Sequence, residues 1–70
     1  MFYFFERESE YVRCELRPAP AGPAIDVLIV EENQPDRIER YPDWASAHAR
    51  WRQLQAQFKE DGWTGPLGRE

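Results

Sequence analysis

The sequence contains only one cysteine and one histidine, Cys14 and His48. No disulfide can form within the chain, and one copy cannot assemble a zinc site from Cys and His ligands. No apolar stretch approaches the roughly 20 residues that span a bilayer, and the aromatic start runs directly into Glu6, Arg7 and Glu8 rather than an apolar signal-peptide core. We therefore expect a cytoplasmic protein that has no membrane contact, no metal and no cofactor.

Basic residues are also scarce. The chain has 9 Lys and Arg against 13 Asp and Glu, which gives a net charge of -4, and no segment is net basic. Nucleic-acid binding usually requires clustered Lys and Arg, because neutralised phosphates supply most of the nonspecific affinity. The charge therefore argues against nucleic acid as a partner without excluding it.

The length of 70 residues suits one small domain. A chain of 8.3 kDa is expected to bury only about 60% of its unfolded surface, which leaves folding near break-even. Because disulfides and Cys/His metal sites are excluded, association with a second copy is the remaining way to add buried surface. We expect a homodimer.

Four β-prone segments fill the first 41 residues, at about 2–7, 11–17, 24–31 and 37–41. The second alternates, with Val12, Cys14 and Leu16 on one side, as in a half-buried antiparallel strand. Short connections, including the proline-rich segment 18–23, predict an antiparallel meander. The first and third segments are apolar on both sides, so the sequence leaves open which face of the sheet is covered.

A helix is predicted over about 44–61, followed by an irregular tail, 62–70. Asp43 suits the N-cap, and Gly62 suits a left-handed C-terminal position in which Phe58 meets Trp63. The predicted fold class is therefore α+β, a four-stranded antiparallel sheet with one C-terminal helix on one face, or ββββα. The expected core comprises Val12, Cys14, Leu16, Ile25 or Leu28, Trp44, Trp51, Leu54, Phe58 and Trp63.

Candidate catalytic groups are few. His48 is the only histidine that could act as the base for a Ser or Cys nucleophile, and it lies at the edge of the apolar helical stripe. Cys14 lies on the inward side of its strand between Val12 and Leu16, where a buried thiol is expected. Glu31, Glu32 and Asp36 cluster around one turn, where they could bind a cation or transfer protons, but their spacing matches no EF-hand. A solvated turn is the simpler interpretation, and we expect no enzymatic activity.

Aromatic residues form 14% of the chain, more than one covered sheet face needs. Either Phe2 and Phe4 or Tyr3 and Phe5 must point away from the helix. Two interpretations of that exposed surface compete: a homodimer interface, and a platform on which the bases of single-stranded nucleic acid stack. The charge favours the dimer. The candidate residues for either role are Tyr3, Phe5, Tyr11, Arg13 and Arg17.

The outer side of the predicted helix offers a second possible contact. Ala45, Ala49 and Ala56 lie close together on a helical wheel, with Arg52 beside them, and small residues allow close approach of a partner. The alternative is that alanine is a good helix former on a solvated surface.

The helix and tail resemble those of one group of proteins. The segment 41–69, in which an aromatic helix precedes Gly62-Trp63 and the run Gly65-Pro66-Leu67-Gly68-Arg69, resembles the ending of small uncharacterised bacterial proteins of the domain-of-unknown-function type. In topology alone, ββββα is similar to transcriptional coactivator and whirly-type folds. The helix ending also resembles that of WGR domains, although Thr64 follows Trp63 in place of their Trp-Gly-Arg. These resemblances imply no catalytic residues.

The sequence thus predicts a noncatalytic interaction module, homodimeric, that binds another protein as an adaptor or regulator. The alternative is a single-stranded nucleic-acid binder that uses an aromatic and arginine sheet face.

Overall fold

A five-stranded antiparallel sheet carries one helix across one of its faces in residues 1–68, the part of the chain that this computed structural model describes. The α+β class and the antiparallel sheet agree with the sequence prediction, and the fifth strand is an addition to it. The elements are β1 (Phe2–Arg7), β2 (Glu10–Pro18), β3 (Ile25–Glu31), β4 (Arg37–Tyr41), α1 (Trp44–Glu60) and β5 (Thr64–Leu67). The strand order is β4-β3-β2-β1-β5, so β2 is central.

A two-residue turn determines which side of β1 faces the helix. Glu8 and Ser9 both have positive φ, 48° and 72°, the backbone conformation of the tight hairpin turns that match the twist of the strands. The turn pairs Tyr3 with Cys14 and Phe5 with Val12. Directly paired residues project from the same face of a sheet, so the two aromatic side chains share the face of these β2 residues.

The helix begins and ends at the predicted signals. The Asp43 side chain accepts a hydrogen bond from the backbone N–H of Ser46 at 2.8 Å. At the other end, Gly62 has a φ of +91°, and the N–H of Trp63 donates to the carbonyl of Phe58 at 3.0 Å. With the Gly62 N–H bonded to Lys59, this is a Schellman ending, which satisfies carbonyls left free by the last turn. In the described part of the chain, no helix is long and apolar enough to cross a membrane.

The core lies between α1 and one face of the sheet. Trp51 is its centre: its indole Nε1–H donates to the Cys14 carbonyl at 3.1 Å, and its own carbonyl accepts from the Tyr3 hydroxyl at 2.7 Å. Of the two alternatives on β3, Ile25 packs against this core, while Leu28 lies on the opposite face. The buried core residues are Tyr3, Phe5, Val12, Cys14, Leu16, Val27, Ile29, Ala47, Trp51, Leu54 and Phe58.

Trp44 departs from the predicted core. It is 48% exposed and stacks on His48, with 5.7 Å between ring centroids. Trp44 is the first residue of α1, and the helical stripe becomes buried only from Ala47 onward. Trp63 is half-buried and packs against the core cluster.

The prediction of an irregular tail is wrong for residues 64–67. Instead, β5 pairs antiparallel with β1, with Thr64 opposite Glu6 and Leu67 opposite Phe4 and an irregularity between them. A proline can occupy an edge strand, because one side of that strand needs no N–H donor. Residues 69 and 70 of the predicted tail lie outside the described residues.

Candidate functional site

The sheet has two faces of different character. The inner face packs on α1 and is filled by the core. We use "outer face" for the opposite side, and among residues 1–68 no element is packed across it. Alternation and the strand registers place on it Phe2, Phe4 and Glu6 of β1, Tyr11, Arg13, Glu15 and Arg17 of β2, Asp26, Leu28 and Val30 of β3, Ile38 and Arg40 of β4, and Leu67 of β5.

The structure divides the predicted aromatic and arginine platform between the two faces. Tyr3 and Phe5 are completely buried under α1 and belong to the core, so their assignment to an exposed surface is wrong. Tyr11, Arg13 and Arg17 are exposed on the outer face. The cause is the Glu8–Ser9 turn, whose register puts the odd-numbered residues of β1 on the helix side.

Phe2 and Phe4, rather than Tyr3 and Phe5, are the aromatic residues of β1 on the outer face. The ring of Phe4 lies 6.0 Å from that of Tyr11, and both phenylalanines are half-buried. Leu67 pairs with Phe4, and at Gly68 a Cβ atom would lie 2.4 Å from the Phe4 ring, so only glycine allows the chain to pass this closely. The alternation of β2 would give this arrangement if the length of the turn were known, but Glu8 and Ser9 carry no Gly or Asn that marks a two-residue turn. The contribution of Leu67 has no local signal.

Apolar side chains on the outer face extend to both edges of the sheet. Leu28 is buried and Val30 half-buried, while Tyr11 and Ile38 are 47% and 52% exposed. Cross-strand pairing aligns Ile38, Leu28, Glu15 and Phe2 in one row across four strands. Within this row, Ile38 and Phe2 present apolar surface, while Leu28 is buried.

Charges on the outer face balance. Three arginines stand against Glu6, Glu15 and Asp26, and the best-fixed pair is Arg40 with Asp26, joined by two hydrogen bonds of 2.7 and 3.0 Å. Asp26 is only 1% exposed, and the hydrogen bonds from Arg40 hold the pKa of its carboxyl below the usual range. The face is therefore amphipathic and close to neutral, which does not match the excess of positive charge expected of a phosphate-binding surface.

The helix residues proposed for a second contact all lie on the solvent side of α1. Ala45, Ala49, Arg52 and Ala56 are each exposed, so the structure leaves this side of the helix accessible. On its other side, the Arg50 guanidinium binds both oxygens of Glu39, at 2.8 and 3.2 Å, and fixes α1 to the edge strand β4.

The acidic turn forms part of a cleft at the end of the sheet. A carboxylate oxygen of Glu31 lies 3.7 Å from the guanidinium of Arg37. The described residues contain no group of three His, Cys, Asp or Glu side chains placed to hold a metal ion. The cleft has a volume of about 450 Å³, and its lining includes Glu31, Glu32, Phe58 and Trp63. The guanidinium of Arg7 lies 4.3 Å from the Trp63 ring centroid and donates to the Asp61 carbonyl at 3.0 Å.

The two candidate nucleophile and base residues lie apart from this cleft. Cys14 is fully buried, and burial raises the pKa of its thiol to about 11, so the reactive thiolate is suppressed. His48 is half-buried between Trp44 and Trp51, with ring centroids 5.7 and 5.6 Å away. These surroundings give Cys14 and His48 a packing role.

Comparison with protein-family models, with curated proteins and with solved structures finds no match. The resemblances drawn from the sequence therefore stay predictions, and a function has to be inferred from the outer face.

Proposed function

We propose that the chain is a noncatalytic interaction module that associates as a homodimer through the outer face. The observation that carries the proposal is the outer face, across which no element of residues 1–68 packs. Tyr11 is about half exposed there and its ring lies 6.0 Å from that of the half-buried Phe4, while Ile38, also about half exposed, lies on edge strand β4. Exposed apolar surface of this kind, interrupted by polar residues, is typical of protein interaction sites.

The size of the molecule gives association an energetic benefit. The accessible surface is 4609 Å². An unfolded chain of this mass exposes roughly 12,000 Å², so folding removes about 60% of it, the modest fraction expected of a small domain. Each further Å² of apolar surface buried against a partner contributes about 25 cal/mol. Covering the outer face would therefore stabilise the fold as well as the complex.

The wider proposal is an adaptor or regulator in the cytoplasm. With the outer face used for dimerisation, the exposed side of α1, with Ala45, Ala49, Arg52 and Ala56, is left for a second protein. A cytoplasmic location suits a single reduced thiol, which is buried at Cys14.

One observation favours the alternative, single-stranded nucleic-acid binding. The adjacent rings of Phe4 and Tyr11 lie on the same face as Arg13 and Arg17 and could stack bases. The balanced charge of the face and the net charge of -4 weigh against it. We therefore place it second.

Two matched aromatic substitutions test the role of the outer face. Tyr11 on the outer face and Trp44 on the helix are 47% and 48% exposed. We expect Tyr11→Ser to weaken dimerisation at least about 10-fold, a moderate interface effect, and Trp44→Ser to leave it unchanged. Sedimentation equilibrium measures both, with far-UV circular dichroism to establish folding. Equal effects of the two variants on the dimer would contradict the proposal.

A further inference from the structure

We infer that the outer face binds a second copy of this chain about a two-fold axis that runs across the strands at the level of Cys14, so that Arg13 of each copy meets Glu15 of the other. This inference rests on the proposed function, which already names a second copy as the partner, and adds the geometry of the dimer. It follows from the order of residues along the central strand and from the strand registers on either side.

The central strand β2 is complementary to itself when reversed. Its outward residues are, in order, Tyr11, Arg13, Glu15 and Arg17. A two-fold axis across the strands at residue 14 runs the two β2 strands antiparallel. It places Arg13 over the partner's Glu15 and Tyr11 over the partner's Arg17. The first contact is an ion pair, made twice by symmetry, and the second brings a guanidinium to an aromatic ring.

The neighbouring strands become complementary under the same operation. In the row of Arg13 lie Phe4 and Val30, and in the row of Glu15 lie Phe2 and Leu28. Reversal about the axis therefore places phenylalanine over phenylalanine on β1 and valine over leucine on β3. Apolar side chains meet apolar side chains on both flanks, while the charges meet in the centre.

The alternative in-plane axis gives a poor match. A two-fold axis along β2 would place Arg13 over the partner's Arg13 and Glu15 over the partner's Glu15, with like charges in both contacts. Juxtaposed like charges strongly disfavour a complex. Packed sheets cross at about 30° because each is twisted, and residues near the crossing point are displaced least. The pair that decides between the axes is also the pair closest to the centre.

The area of the outer face suits a second copy of the chain, and so does the availability of the Arg13 and Glu15 side chains. Five strands of four to nine residues, spaced about 4.8 Å apart, present a face of roughly 500 Å² in projection. Side-chain relief adds to that area, so a dimer at the lower end of the usual 600–1,000 Å² per partner would use most of the face. Among residues 1–68, Arg13 and Glu15 make no side-chain hydrogen bond or ion pair. Both side chains are available to a partner.

Charge reversal with mixing tests the axis. In R13E, a carboxylate at position 13 would face the partner's Glu15, and in E15R, a guanidinium at position 15 would face the partner's Arg13. We expect each variant alone to dimerise at least about 100-fold more weakly than the wild type, the size of several unfavourable charge contacts. In an equimolar mixture, both central contacts again join a carboxylate to a guanidinium. We expect the mixture to recover the dimer mass, with a Kd within about 10-fold of the wild-type value.

The outcomes separate the two proposals. The charge reversal Arg52→Glu on the exposed side of α1 is the control and should leave the mass unchanged. If the wild type is a dimer but the single variants stay dimeric, or dissociate without recovery on mixing, this geometry is wrong and the homodimer stands. If the wild type is a monomer at every concentration, the homodimer itself is refuted. Recovery on mixing also shows that both variants are folded.

Discussion

Tyr3 lies on the inner face of the sheet and Tyr11 on the outer face. Removing the hydroxyl group from each in turn compares how much the two faces contribute to the stability of the fold. The Tyr3 hydroxyl is completely buried and donates to the Trp51 carbonyl at 2.7 Å, and burial raises the pKa of this phenol well above its usual range. Tyr3→Phe keeps the ring, which lies 4.9 Å from that of Trp51 and 5.4 Å from that of Phe5. The lost hydrogen bond is worth about 1 kcal/mol, and a domain of this size responds with a fall in Tm of about 4–8 °C.

Tyr11→Phe is the matched control. Its ring is 47% exposed, and its hydroxyl makes no hydrogen bond to another part of the described chain. The same deletion should change the free energy of unfolding by less than about 0.5 kcal/mol. Thermal unfolding followed by circular dichroism, at one protein concentration for all variants, compares them. Equal losses, or a larger loss for Tyr11→Phe, would refute the placement of Tyr3 under the helix.

Three further results are expected. Gly62→Ala should lower the free energy of unfolding by about 1 kcal/mol, because a side chain is strained at a φ of +91°. The space around the residue is open, so no clash adds to this cost. An unchanged midpoint of urea unfolding would contradict the Schellman ending. The folded-state pKa of Asp26 is lowered, so its ion pair stabilises the fold above about pH 4, and this stabilisation is lost as the pH falls through the lowered pKa. Asp26→Asn should therefore make the free energy of unfolding fall less steeply on the acid side. The same acid dependence in both proteins would contradict this. Cys14 should react with a disulfide reagent at about pH 8 only as fast as the protein unfolds, and rapid labelling of the native protein would contradict its burial.

The sequence predicts the covered and uncovered sides of β2 and α1 because their patterns are unambiguous. Alternation on β2 puts Val12 and Cys14 inside, and the stripe on α1 puts Trp51 and Leu54 inside. The direction in which these side chains point follows from local periodicity alone, and that periodicity can be read from a single sequence. The same alternation identifies Arg13 on the outer face.

The facing of β1 could not be predicted in this way, because both of its sides are aromatic. A turn decides it, and that turn uses Glu8 and Ser9 at positive φ, where Gly or Asn would be the recognisable signal. Without that signal, Tyr3 and Phe5 cannot be distinguished from Phe2 and Phe4. The outward residues were therefore predicted correctly on β2 and wrongly on β1.

The fifth strand was missed for a different reason. Gly65 and Pro66 lower the strand propensity of residues 64–67, and the pairing partner is β1, about 60 residues earlier in the chain. Edge strands tolerate such residues, and a short edge containing proline is also a poor template for further strand pairing. Long-range pairing of this kind leaves no periodic trace in the segment itself.

The solution mass of the unmodified protein shows whether the outer face joins two copies of the chain. Light scattering over a dilution series, with and without a mixed-sequence single-stranded oligonucleotide at low salt, separates the two functions considered for the outer face. We expect a mass near 17 kDa, twice the 8.3 kDa of the chain, that the oligonucleotide does not change. A mass of 8.3 kDa at every concentration would contradict it, as would a monomer whose mass rises with oligonucleotide and falls again when salt is added.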